Sequence, residues 1–241
     1  MHKPEQTRQS LGLSVETSGR QGSVAVGLDG TVLGQVCFSG PMRHSAELFP
    51  AVAGLLNTFS RAAADIRHVY ISAGPGSFTG IRIAVTFAKA MHFANNAKVV
   101  AVNTLDLIAA NADDFIRDEG IKIEKVAILL DAKRAQFFVA VFCRRDNRWV
   151  KHLPDCLMTS AEFTSRFAGG EPIWLLGEGL LYHNDAFKAP GINIMNEKYW
   201  LPRAAALYRL AWQLAEQGKF ADPITLVPFY LRNPDVKPPT I

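Results

Sequence analysis

One pattern occurs twice in this chain and constrains it more than any other. Around residue 15 an apolar strand ends in an acid, Glu16, and a short polar turn leads into two further extended runs joined by Asp29-Gly30. Around residue 130 the order returns: an apolar run ends in Asp131, residues 133–135 turn, and strand-like stretches flank Asp146-Asn147. The two acids are 131 − 16 = 115 residues apart. Leu11, Leu13 and Val15 alternate with small or polar residues, the period of a strand with one buried face. Asp-Gly between such runs closes a two-residue hairpin. A solenoid would need three or more short repeats, so two long ones predict a duplicated α/β lobe.

Each opening meander is followed by strand and helix patterns. Leu48, Val52, Leu55 and Phe59 recur at helical spacing, with Pro50 placed to kink or delimit the first turn. An apolar strand over residues 69–73 runs into Gly74-Pro75-Gly76-Ser77-Phe78-Thr79-Gly80, and a helix follows over 81–95. Residues 98–102 read as another strand, after which Asn103-Thr104 offers a helix N-cap. In the second half, Trp174-Leu175-Leu176 runs into Gly177-Glu178-Gly179 and echoes the earlier strand and glycine turn. The expected lobes are residues 10–104 and 105–241, with the last helix free to pack back on the first lobe. Ligand crevices in such sheets lie beyond the carboxyl ends of strands. Glu16, Asp131 and both glycine turns are therefore expected at one interlobe cleft. This arrangement resembles the duplicated actin-like (ribonuclease H-like) two-lobed fold, with mixed sheets flanked by helices.

Composition sets the outer limits. The chain has 241 residues, 49% hydrophobic and 20% charged, which excludes a disordered or collagen-like protein and allows a sizeable core. Lys plus Arg exceed Asp plus Glu by 26 − 22 = 4, and no basic block concentrates the excess into a nucleic-acid footprint. Cys37, Cys143 and Cys156 lack C-x-x-C spacing, and the first two fall in strand-like stretches where a small buried hydrophobe is expected. Residues 1–9 are polar and expected to be untethered. No apolar run approaches the ~18 residues of a spanning helix, and no secretory h-region follows Met1, so a cytoplasmic protein is expected.

The motifs narrow the chemistry. A Walker A loop starting at Gly74 needs Gly and then Lys where Thr79 and Gly80 stand, and the dinucleotide fingerprint needs a third Gly at Thr79. Two readings of the turn stay open. Backbone N–H groups at a helix start favour an anion, with Ser77 or Thr79 as cap; equally, the glycines admit close packing against a neighbouring strand. Glu16 and Asp131 either position a metal through waters or cap their own turns. His44 precedes the first helix, but the residue four on is Leu48, and His2, His68, His92, His152 and His183 are dispersed. No metal site is expected from that spacing. Ser77 lacks the nucleophile elbow of a hydrolase, and no cofactor is expected.

The run Gly-Pro-Gly-Ser-Phe-Thr-Gly-Ile-Arg at 74–82, with Arg43-His44-Ser45 ahead of Leu48-Phe49-Pro50, resembles the TsaB (YeaZ) family. Leu130-Asp131-Ala132-Lys133-Arg134, Leu176-Gly177-Glu178-Gly179, Leu201-Pro202-Arg203-Ala204 and Pro228-Phe229-Tyr230-Leu231-Arg232 extend the likeness over nearly everything beyond residue 10. Glu16 stands where the family commonly has Asp. The resemblance implies a non-catalytic subunit paired with TsaD, the paralogue that transfers threonylcarbamoyl to adenosine 37 of tRNAs reading codons that begin with A. A P-loop ATPase, TsaE, completes the assembly, and tRNA is met only within it. The candidate anion or nucleotide contacts are Glu16, Thr17, Gly74, Gly76, Ser77, Thr79, Gly80, Asp131, Gly177 and Gly179. From a different class comes the alternative of an autonomous actin-fold small-molecule kinase, holding Mg-ATP between Glu16, Asp131 and the glycine turns. A substrate-dependent ATPase assay separates the two.

The helix after the glycine turn is apolar on two sides, Ile81, Val85 and Ala88 on one and Ile83, Phe87, Ala90 and Ala94 nearly opposite. Such a helix is sandwiched in its own core or docked to another chain. With the resemblance, Ile83, Phe87, Ala90 and Ala94, together with Leu48, Val52 and Leu55 of the preceding helix, become the expected partner face. That face would also serve a homodimer.

Overall fold

In the computed structural model, which describes residues 10–232, β1 (Leu11–Glu16), β2 (Ser23–Leu28) and β3 (Thr31–Cys37) form an antiparallel meander. The expectation for residues 1–9 lies outside the described residues. On the other side of β1, β4 (Ile66–Gly74) adds in parallel, and β5 (Lys98–Asn103) adds in parallel to β4. The sheet order is β3-β2-β1-β4-β5. The second sheet repeats this order as β8-β7-β6-β9-β10, built from β6 (Lys125–Asp131), β7 (Gln136–Arg145), β8 (Arg148–Thr159), β9 (Ile173–Leu176) and β10 (Ile192–Ile194). Its pairing directions match as well, β6-β7-β8 antiparallel and β6-β9-β10 parallel. This is the duplicated two-lobed α/β fold expected from the paired acids.

Turn chemistry sets the register of both meanders. Asp29 and Gly30 have φ of 47° and 84°, and Asp146 and Asn147 have 49° and 57°. Two successive positive φ values match the type I′ hairpin, whose twist suits the flanking strands.

Helices cover the first sheet on both faces. α1 (His44–Thr58) and α2 (Phe78–Asn95) pack on one face through Leu48, Val52, Leu55, Ala84, Phe87 and Ala88. On the opposite face α6 (Ala204–Glu216) places Leu207, Tyr208 and Ala211 against Tyr70, Val100 and Val102. β1 is consequently buried on both sides, where its alternation predicts one. Its small residues make this fit. Gly12 lies under the rings of Tyr208 and Tyr70, where a Cβ would come within 2.9 and 3.0 Å, and Ser14 Oγ donates to the Ala204 carbonyl at 2.7 Å.

α3 (Thr104–Ala109) is capped by the Asn103 side chain, which accepts the amides of Leu105 and Asp106 at 2.8 and 3.3 Å. It joins the two cores, since Leu105 and Ile108 belong to the second-lobe cluster and Leu107 packs beneath α6. α4 (Asn111–Glu119) and α5 (Ser160–Phe167) complete the second lobe. No helix among the described residues is long and apolar enough to cross a membrane.

Two local expectations are corrected. α1 begins at His44, so Pro50 falls in the second turn; Glu47 secures the early start by accepting from Ser39 N and Oγ and pairing with Arg43. Cys37 is exposed, because β3 is the edge strand of its sheet, whereas Cys143 and Cys156 are half-buried.

Candidate functional site

The turn after β1 and the glycine turn before α2 close on one another. Ser77 N donates to the Ser18 carbonyl at 2.7 Å, and Thr17 Oγ1 donates to the Gly80 carbonyl at 2.8 Å. A Cβ on Gly76 would lie 2.5 Å from the Ser18 oxygen, and one on Gly80 would overlap the Thr17 oxygen. The glycines at 76 and 80 are therefore required by close backbone approach. Ser77 Oγ accepts the Gly80 amide and caps α2, and Thr79 is exposed. Of the two readings of this turn, close packing describes the geometry. Within the turn the Ser77 amide is taken by the Ser18 carbonyl and the Gly80 amide by Ser77 Oγ.

Glu16 is fully buried at the end of β1, and its Oε1 accepts from both the amide and the hydroxyl of Ser18 at 2.6 Å. Oε2 makes no hydrogen bond among the described residues. Burial pushes this carboxyl above the usual carboxylate range, against the opposing effect of the Ser18 bonds. Glu178, from the turn after β9, reaches the same place from the other lobe and accepts the Arg20 amide through both oxygens, at 3.1 and 3.0 Å. It too is raised by burial, and the charge of Glu16 adds to the shift. Arg20 Nη1 donates to the Tyr182 hydroxyl at 2.7 Å, so one turn of the first lobe is held by two residues of the second.

His44 lies beneath this turn, buried, with Nε2 at 3.1 Å from the Gly19 carbonyl and Nδ1 unpartnered among the described residues. Burial holds its imidazole below the ordinary histidine value. A neutral ring packed against Gly19 and Phe38 supports the turn.

Asp131 stands apart from this cluster. Its carboxylate caps its own turn, accepting the Lys133 amide and ammonium at 2.7 Å each. Gly177 and Gly179 both close on the Leu129 carbonyl of β6. Gly74 faces the backbone of Phe229, whose amide donates to Ala73 O at 2.7 Å. Of the expected contacts, Glu16, Thr17, Gly76, Ser77 and Gly80 are gathered in the first lobe where Glu178 reaches it, Gly177 and Gly179 seat the Glu178 turn on Leu129, and Asp131 caps its own turn. Among the described residues no cluster of three or more His, Cys, Asp and Glu side chains is placed to hold a metal.

The expected partner face is also redrawn. Leu48, Val52, Leu55 and Phe87 are buried in the first-lobe core, and Ile83 is half-buried against it. Phe87 is only 4% exposed because α1 covers that side of α2, with the Phe49 and Phe87 rings 5.7 Å apart. The buried members of this face meet the chain's own core, Phe87 through α1. Ala90 and Ala94 do reach the surface, accompanied by Phe93 at 72% exposure and Phe49 at 65%. Sequence reasoning missed Phe49, Phe93, Arg20 and Tyr182. Glu178 had a signal in the repeat, an acid between the two glycines of the second turn.

The family model described as TsaD, tRNA N6-adenosine threonylcarbamoyltransferase, matches residues 40–217. The chain is similar to the tRNA threonylcarbamoyladenosine biosynthesis protein TsaB of Bacillus subtilis, 28% identical over 91% of this chain and 93% of that protein. The protein of the same name from Escherichia coli is 27% identical over 92% and 94%. A crystal structure from Pseudomonas aeruginosa, described as similar to peptidase YeaZ, superposes with a TM-score of 0.77 at 25% identity, covering 92% of this chain and all of the other. With these matches running through both lobes, the chain belongs to the TsaD family of tRNA threonylcarbamoylation proteins, on its TsaB (YeaZ) branch.

Proposed function

We propose that the chain is the non-catalytic partner of a TsaD-like paralogue, required in the cytoplasm for threonylcarbamoyl transfer to adenosine 37 of tRNAs reading codons that begin with A. The process is supported by full-length similarity to proteins named for tRNA threonylcarbamoyladenosine biosynthesis. The observation that supports the non-catalytic role is the closure of two first-lobe turns on each other: Ser77 N is bonded to Ser18 O, and Gly80 packs on the Thr17 carbonyl. Catalysis needs convergent polar groups free to meet a substrate; here the Ser77 amide and Glu16 Oε1 are bonded within the chain, and Glu16 and His44 are buried.

The partner docks on the outer side of α1 and α2, at Phe49, Pro50, Ala53, Ala90, Phe93 and Ala94, which are all exposed. Two aromatic rings in water among small residues give a surface a second helix pair can approach closely, and buried aromatics of this kind commonly anchor an interface. A second copy of the chain uses the same patch when the paralogue is scarce, since a two-fold interface buries one patch against itself. A TsaE-like P-loop ATPase acts on the assembly, and tRNA contacts this chain only there.

Co-expression with the cognate TsaD-like protein tests the pairing. A stoichiometric complex that is lost with Phe93→Arg is expected. Separate elution of the two native proteins, at concentrations where both are folded, would overturn the reading.

A further inference from the structure

The chain beyond α6 returns across both lobes. Ala221 donates its amide to Val99 O at 2.8 Å, bridging to the outer strand β5. Lys89 Nζ on α2 reaches the Ile224 carbonyl at 3.2 Å, and Leu226 packs on the first-lobe core. Phe229 N then bonds Ala73 O at 2.7 Å. The next ring, Tyr230, packs tilted on Phe78 with centroids 5.2 Å apart, and its hydroxyl accepts from Arg82 Nε at 2.9 Å. The Arg82 guanidinium itself lies 3.8 Å from the Phe78 ring centre. Leu231 packs on the second-lobe core, and Arg232 donates to the Ala132 carbonyl at 2.5 Å and to the Gln136 side chain.

Within a few residues, then, one segment is tied to both cores, and between the ties it lies over the start of α2. Gly74 fits this contact: at φ +117° it is in a region L side chains rarely adopt, and any Cβ there would collide with the Phe229 carbonyl. The segment has no regular secondary structure beyond the single bridge at Ala221. Ile224 and Val227 are exposed, so few apolar contacts hold it between its anchors. Segments of this kind open at a lower free energy than the cores beneath them. The two ends are also unequal. Five residues, Ala221, Ile224, Leu226, Phe229 and Tyr230, anchor the first-lobe side, whereas the crossing to the second lobe depends on Leu231 and the Arg232 guanidinium.

We propose that residues 221–232 form a releasable strap that ties the two lobes together and covers the Gly74–Gly80 turn, so that release of its Arg232 end uncovers the turn. Arg232 is the latch and Gly74 the seat.

Native-state hydrogen exchange on the full-length chain tests this, comparing the parent with Arg232→Ala and Arg82→Ala. Arg82 touches the strap from α2, and Arg232 is the strap's own tie to the Ala132 carbonyl and the start of β7, so neither side chain lies in β1 or β6. The expected result is at least tenfold faster exchange at the Phe229 and Ser77 amides, with amides in the centres of β1 and β6 unchanged. Unchanged exchange at Phe229 in both variants would overturn the strap. Faster exchange at Phe229 with none at Ser77 would overturn its covering role. Equal acceleration in β1 and β6 would make the segment part of the global fold and overturn releasability. Because these readouts need no partner protein or tRNA, they stand or fall separately from the proposed function.

Discussion

Replacing Phe87 by Ala tests where the first lobe ends and a partner begins. Phe87 is 4% exposed, lies among Val52, Leu56 and Ala84 in one core cluster, and faces the Phe49 ring at 5.7 Å. Full burial of a phenylalanine side chain stabilises by about 1.5–3 kcal/mol through transfer alone. The cavity left between α1, α2 and the sheet adds to that, for a total loss of about 3–5 kcal/mol. In a chain of this length each kcal/mol lowers Tm by roughly 2–4 °C, so a fall of about 6–20 °C is expected. Thermal and urea unfolding of the isolated protein, followed by circular dichroism, measure it. A loss below about 1 kcal/mol with unchanged m-value would refute the core assignment. Phe87→Arg is expected to prevent folding rather than merely dissociate the protein, since an unpaired charge would be left in the core.

The outer rings should behave oppositely. Phe93→Arg is expected to change monomer stability by no more than about 0.5 kcal/mol, yet to weaken binding of the TsaD-like partner by about 2 kcal/mol or more, roughly 30-fold, in calorimetry or sedimentation. Gly80→Ala should destabilise by about 1–3 kcal/mol because its Cβ overlaps the Thr17 carbonyl, whereas Gly54→Ala, which meets nothing within 4 Å in mid-helix, should stabilise by about 0.5–1 kcal/mol; equal effects in urea titrations would count against the close approach. Burial raises the native pKa of Glu16 above its ordinary value of 4.5. The stability its protonation contributes is therefore complete below pH 4.5 and is lost as pH rises through the native-state value. Relative to Glu16→Gln, the parent should lose stability as pH rises through that window, and parallel stability profiles for the two would sink the argument.

Much of the fold was legible because duplicated backbone architecture leaves duplicated local signals. The acids Glu16 and Asp131, and the hairpin pairs Asp29-Gly30 and Asp146-Asn147, mark equivalent places in two sheets of one topology. Local chemistry, such as the Asn103 cap, was legible for the same reason. What depended on distant neighbours was not. The alternation in β1 says that one face is buried, but Gly12 and Ser14 are buried too, by α6 nearly two hundred residues away. A similar limit applies to Phe87: helical periodicity identifies an apolar face without saying whether α1 or another molecule covers it. The glycine turn is ambiguous in sequence between an anion cradle and close packing, and the contact that packs it, Ser77 N to Ser18 O, joins segments that sequence spacing does not pair.

Reconstituted tRNA modification tests the proposed role most directly. The TsaD-like and TsaE-like proteins, tRNA and an activated threonylcarbamoyl donor are combined with and without this chain, and modified adenosine is measured by nucleoside mass spectrometry. Modification is expected with the chain present, at most a small residue of it when the chain is omitted, and none from the chain alone. Full modification in its absence, or transfer catalysed by the isolated chain, would contradict its assignment as a required non-catalytic partner.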